Sequence, residues 1–173
     1  MAEKAKFSVG VFGIPAKIVN GVIRIKVNVR MDQDRQRKAA GLPEDSPIFL
    51  VDCPGGGVMT DDESMESALQ REVFEETGGC EFIDCDGWQE PLVLLNREKG
   101  QYDIAFWKPI RLAGEPKPSS EASDHPWLSI EDLQSGDKYR PVSGLGLKGR
   151  TGQMMLGAIQ WFKNAPGGSR YFS

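Results

Sequence analysis

Apolar and basic positions alternate along Val22-Ile23-Arg24-Ile25-Lys26-Val27-Asn28-Val29. That two-residue period belongs to a half-buried strand, so residues 18–29 are expected to be β-structure. Asn20-Gly21 falls between apolar runs and predicts a tight hairpin turn. Phe7 to Val11 reads as another strand, and the polar stretch 31–46, with Gly41 and Pro43, as a long loop. Pro47 to Cys53 predicts a short apolar strand, stopped by Pro54-Gly55-Gly56-Gly57. Ser64 to Thr77 holds good helix formers without Pro or Gly and ends at Gly78-Gly79, a fitting stop. Asp61 and Asp62 suit its N-cap or first turn. Residues 80–96 and 101–112 predict strands joined near Glu98-Lys99-Gly100, and 113–127 a polar loop. Ser129 to Leu133 predicts a short capped helix. Gln153 to Asn164 predicts a last helix with Met155, Ile159 and Phe162 on one side, and Pro166 to Ser173 a loose tail. With no repeat or linker, residues 1–173 are expected to form a single domain.

Charge narrows the function classes. The net charge is −4, against general nucleic-acid binding, which favours basic chains. It is uneven: residues 1–40 hold nine Lys/Arg and three Asp/Glu. A solvated basic strand is the plain explanation; the functional one places Arg24, Lys26, Arg30, Arg35 and Arg37 near an anionic ligand. No apolar stretch approaches the roughly 20 residues that span a bilayer, and no signal-peptide apolar core follows the N-terminus, so a cytoplasmic location is expected. Three cysteines with one histidine make a poor zinc set, and Cys53, Cys80 and Cys85 read as reduced thiols. His125, lone and followed by Pro126, reads as a surface residue. Tyr102 and Phe106 share a strand face and could stack on a base, with core packing the plainer role. Trp88, Trp127 and Trp161 read as structural.

One segment carries chemistry. In Arg71-Glu72-Val73-Phe74-Glu75-Glu76-Thr77-Gly78-Gly79 the glutamates are spaced i, i+3 and i+4 on one helix face, with Glu72 and Glu76 in the sector of Met65, Ala68 and Leu69. Like charges at i,i+4 repel, and Glu75 and Glu76 lie where the helix dipole is negative. Partial burial raises both costs. A hard divalent cation would compensate, because Mg²⁺ prefers carboxylate oxygens. The plainer explanation is a solvated acidic face with Arg71 paired to Glu75. The Gly-rich turn and Glu63, at fixed distances upstream, argue against it.

Gly57 to Gly79 closely resembles the Nudix box, G-x5-E-x7-REUxEExGU, where U is a bulky aliphatic residue. Gly57, Glu63, Arg71, Glu72, Val73, Glu75, Glu76 and Gly78 match; Gly79 stands where a bulky residue is expected. The resemblance implies an α/β fold of Nudix type: an α/β/α sandwich with a mixed sheet and a loop-helix-loop catalytic motif. It implies Glu72, Glu75 and Glu76 as Mg²⁺ or Mn²⁺ ligands, with a carbonyl of Gly56 or Gly57. Glu63 and Arg71 would support them. The implied reaction is hydrolysis of the pyrophosphate bond in a nucleoside diphosphate linked to X. The base would be Glu76 or Glu75 in the box, or Glu121 in the later loop. Arg24, Lys26, Arg30 and Tyr102 are candidate substrate contacts. Leu95, Asn96 and Arg97 stand where subfamilies carry a marker proline or tyrosine, so X stays open among nucleotides and nucleotide-sugars. The partner is a small nucleotide-type substrate; homodimerisation is left open. The alternative is a Nudix-fold module that senses a nucleotide without turnover.

Overall fold

The computed structural model describes residues 6–96, 99–142 and 146–165. Its first strand, β1 (Lys6–Val19), turns through Asn20-Gly21 into β2 (Val22–Lys26), with Val19 opposite Val22. This is the two-residue hairpin that the sequence predicts. The alternating run then breaks at Val27 and resumes as β3 (Asn28–Arg30) in a second sheet. Ile25, Val27 and Val29 all lie in the main core.

The expected loop over 31–46 contains a short helix, α1 (Gln33–Ala39), with no buried residue. It is held by tertiary hydrogen bonds: the Gln33 amide donates to the Leu50 carbonyl at 2.9 Å and accepts from the Leu50 N–H at 2.8 Å. β4 (Phe49–Asp52) and β5 (Gly55–Gly57) follow. α2 (Met65–Glu76) has Ser64 as its N-cap, in a reciprocal pair with Ser67, so neither Asp61 nor Asp62 caps it. The predicted 80–96 strand is two pieces, β6 (Phe82–Asp84) and β7 (Leu92–Asn96), which pair with opposite ends of β8 (Gln101–Leu112). The 113–127 loop includes β9 (Ala122–Asp124) and leads into β10 (Trp127–Leu128). α3 (Ile130–Ser135), capped by Ser129, β11 (Tyr139–Pro141) and α4 (Arg150–Asn164) complete the described chain. Glu98, Arg97 and the tail from Pro166 lie outside the described residues.

One sheet runs β10-β2-β1-β8-β6, with β5 on β1 and β7 on β8. It is mixed, because β1 and β8 pair in parallel from Lys6↔Gln101 to Pro15↔Ile110. The other runs β11-β4-β3-β9. Two cores flank the strands. Met154, Met155, Ala158 and Phe162 of α4 pack on Ile14, Ile25, Val51 and Trp107. Ala68, Leu69 and Val73 of α2 pack on Val11 and Ile110. Fully burying a Leu or Val side chain contributes about 1.5–3 kcal/mol, enough to fix α2 against the sheet. The result is the expected α/β/α sandwich. No helix among the described residues is long and apolar enough to cross a membrane.

Candidate active site

The spacing of Leu69, Val73 and Glu76 carries the apolar stripe of α2 down to its last residue, so Glu76 enters the interior and is only 2% exposed. Its Oε2 accepts the Gly55 N–H at 2.8 Å and the Asn28 Nδ2–H at 2.9 Å. Its Oε1 accepts from Arg30 at 3.2 Å. Burial pushes the Glu76 carboxyl up to about 8, with Asp52 and Glu72 adding to the rise and the Gly55 N–H and Arg30 opposing it. Glu72, half-buried one turn earlier, is also raised by burial, with Glu75 and Glu121 contributing. Its carboxylate lies directly against Gly56, where a Cβ would collide with it. That close approach needs glycine.

Arg71 organises the box. Its guanidinium donates to Asp62 Oδ1 and Oδ2 at 3.1 and 2.9 Å, to Glu72 at 2.7 Å and to the Gly57 carbonyl at 3.1 Å. These bonds hold Asp62 below the usual carboxylate range and raise Arg71 further. Asp62 thus occupies the supporting place expected of Glu63, whose side chain is exposed. Asp62 is also shaped by its own loop, accepting the Met59 N–H at 2.7 Å. Glu75 is half-exposed, 3.6 Å from Arg71. The Gly57 carbonyl is already engaged by Arg71, whereas Gly56 faces Glu72.

Glu121 reaches the same place from the loop before β9. Its carboxylate is 4.0 Å from Arg30, and its carbonyl accepts the Met31 N–H at 2.9 Å. Arg30 therefore stands between Glu76 and Glu121 and also pairs with Asp32 at 3.3 Å. The other basic candidates are engaged elsewhere. Arg24 donates to Asp132 of α3 at 2.9 Å and Lys26 to Glu115 at 2.8 Å. Arg35 and Arg37 form local pairs with Asp32 and Asp34. Tyr102 stacks on Phe7 at 5.8 Å, at an exposed end of the sheet. All three cysteines are free thiols.

His125 is buried, not on the surface. The 113–121 loop covers it, and burial lowers its pKa. Its Nδ1 lies 2.8 Å from Asn28 Oδ1 and its Nε2 3.0 Å from the Lys117 carbonyl. The sequence reading missed Asn28 and Asp62. The available signal was parity: Asn28 lies on the strand face that carries Lys26 and Arg30.

Glu72, Glu76, Glu121 and the Gly56 carbonyl offer only hard oxygen donors, the set preferred by Mg²⁺ or Mn²⁺ and not by zinc. Among the described residues no three acidic, His or Cys side chains already converge on one point. Arg30 and Arg71 stand among the acids. The donor chemistry fits such an ion, and the missing Gly56 side chain is what lets the Glu72 carboxylate lie against the backbone there. A separate cavity of about 470 Å³ opens beside α2, lined by Arg71, Phe74, Glu75, Cys80, Glu81 and Phe82, and takes in neither Glu72 nor Glu76.

The sequence matches the NUDIX domain over residues 31–143. No curated protein matches the chain in sequence. Several solved structures share the fold. The MutT protein from Methanosarcina mazei Go1 is 17% identical, with 94% of this chain and 99% of that one covered and a TM-score of 0.59. The NUDIX domain of Shewanella oneidensis NrtR, solved with ADP ribose, is 16% identical, with 91% and 89% covered and a TM-score of 0.58. An ADP-ribose pyrophosphatase from Streptococcus suis is 17% identical, with 92% and 94% covered and a TM-score of 0.55.

Proposed function

The chain belongs to the Nudix hydrolase family, and from that premise we propose that it hydrolyses the pyrophosphate bond of a nucleoside diphosphate linked to X, using Mg²⁺ or Mn²⁺. The observation that carries the reading is that Glu72 and Glu76 of α2, the Gly56 backbone of the first sheet, Arg30 of the second sheet and Glu121 lie beside one another. Single-domain organisation and a cytoplasmic location belong to the same proposal.

Glu72 and Glu76, with the Gly56 carbonyl, would hold the ion; Glu75 is the outlying candidate. When bound, such an ion neutralises phosphate charge and acidifies a water. The chain's own residues do the rest. Arg71 keeps Glu72 in place and ties the Gly57–Asp62 loop to the helix. Arg30, already among the acids, is placed to take a phosphate oxygen, a planar-fork task suited to guanidinium. Glu121, half-exposed and so open to water, is the proposed base outside the box, with Glu76 or Glu75 as the candidates within it. Charge neutralisation and positioning are what phosphoryl transfer chiefly demands.

The relatives that bind or cleave ADP ribose put nucleoside diphosphate sugars first in a substrate panel, followed by nucleoside triphosphates and dinucleotides. With Mg²⁺, the wild-type chain is expected to cleave one of these classes, and Glu76→Gln to lower turnover by several orders of magnitude. Glu121→Gln is expected to lower kcat while leaving the Mg²⁺ dissociation constant nearly unchanged if its main task is proton transfer. Tight nucleotide binding without products across the panel would instead establish a sensing module.

A further inference from the structure

Glu76, Asn28 and His125 form a buried chain of hydrogen bonds, and the far ring nitrogen lies 3.0 Å from the Lys117 carbonyl. Asn28 is 1% exposed, so neither end of its amide finds bulk water. To act as a cation ligand Glu76 must be a carboxylate, which accepts hydrogen bonds and cannot donate them. The Asn28 Nδ2 must therefore face Glu76, which turns Oδ1 toward the His125 ring. Oδ1 is an acceptor, so ring Nδ1 must carry a hydrogen. Nε2 lies 3.0 Å from the Lys117 carbonyl; in the neutral ring with its hydrogen on Nδ1 that contact is packing and not a hydrogen bond.

Lys117 is itself a fastening point. Its N–H donates to the Thr77 carbonyl at 2.9 Å, immediately after α2. Its carbonyl lies over Gly78, close enough that a Cβ there would be 2.7 Å away. Four residues on, the same loop carries Glu121. One imidazole thus touches the amide that holds Glu76 and the loop that presents Glu121.

We propose that His125 is a positioning residue of the acid site: through Asn28 it orients the Glu76 carboxylate, and by packing against Lys117 it supports the loop that carries Glu121. The inference rests on the reading of Glu76 as a metal ligand. It assigns His125 no contact with substrate.

The chain has one histidine, so its ring signals are unambiguous in a ¹⁵N-labelled sample of the full protein. In the Mg²⁺-saturated protein Nδ1 is expected to carry a hydrogen, and its resonance to move when Asn28→Leu removes the acceptor. Calorimetric titration with Mg²⁺ supplies the second readout. Asn28→Leu and His125→Leu are each expected to weaken binding about tenfold or more, as is common for groups that orient metal ligands. The double variant should be no weaker than the worse single one, because both act through one chain. A bare Nδ1 in the Mg²⁺-loaded wild type, or a wild-type dissociation constant in folded His125→Leu, overturns the inference and leaves the hydrolase reading standing. The ring measurement uses the unmutated protein, so it decides even where a variant fails to fold. A wild-type chain that takes up no Mg²⁺ overturns both.

Discussion

Arg71 selects Asp62 over the neighbouring Glu63, and geometry gives the reason. Asp62 closes on the Met59 N–H through one carboxylate oxygen, which directs the group at the helix while both oxygens meet the guanidinium fork. Glu63, next to the N-cap Ser64, projects into solvent. Charge and hydrogen-bond geometry at Arg71 should therefore depend on Asp62. Asp62→Asn is expected to cut Mg²⁺ affinity and kcat by about tenfold, whereas Glu63→Gln leaves both within about twofold. Parallel titrations and steady-state assays check this; the reverse ranking would show that the Arg71 clamp closes on Glu63 in solution.

At the scale of elements, the end of α2 explains the box's departure from its pattern. Gly79 has φ of +101°, and its N–H donates to the Phe74 carbonyl at 2.8 Å to close the helix. A branched side chain would be strained there, so Gly79→Val is expected to destabilise the fold by about 1–3 kcal/mol in urea unfolding. An unchanged midpoint would mean that the backbone re-forms around the bulky residue. The same region marks what the sequence could reveal. The reading of Ser64 to Thr77 brackets α2 because its helix formers and its terminal glycines are local signals, although the cap falls on Ser64 and not on the acids before it. α1 was illegible because it buries nothing and hangs on Gln33. β6 and β7 were merged because what separates them is their pairing with different ends of β8, a long-range fact. Asn28 was overlooked and His125 was read as a surface residue for a related reason. Each is polar and unremarkable in its own segment, and only closure of the 113–121 loop buries the ring beside the amide.

Across the whole molecule, the acid site depends on several elements staying shut at once: β3, β5, α2 and the loop before β9. Cys53, between β4 and the Gly-rich turn, reports on that closure. It is fully buried, and its thiol is held well above the usual range by burial, with Asp52 and Glu76 adding negative charge nearby. Only a thiolate attacks an alkylating reagent, so native Cys53 should be inert at pH 8. Cys80 and Cys85 are half-buried; burial lifts the Cys85 thiol as well, which should make it the slower of the two. Iodoacetamide is thus expected to modify Cys80 and Cys85 quickly, and Cys53 only through opening of the fold, at a rate that climbs with urea. Because opening separates the acids, a cation bound among them must oppose it by mass action. Mg²⁺ at ten times its dissociation constant should slow Cys53 modification about elevenfold, without changing Cys80. Mass spectrometry of each cysteine over time reads both effects. Equal rates for all three thiols would mean that the interior at Cys53 is open in the native state, and a Cys53 rate indifferent to Mg²⁺ would place the ion somewhere other than this cleft.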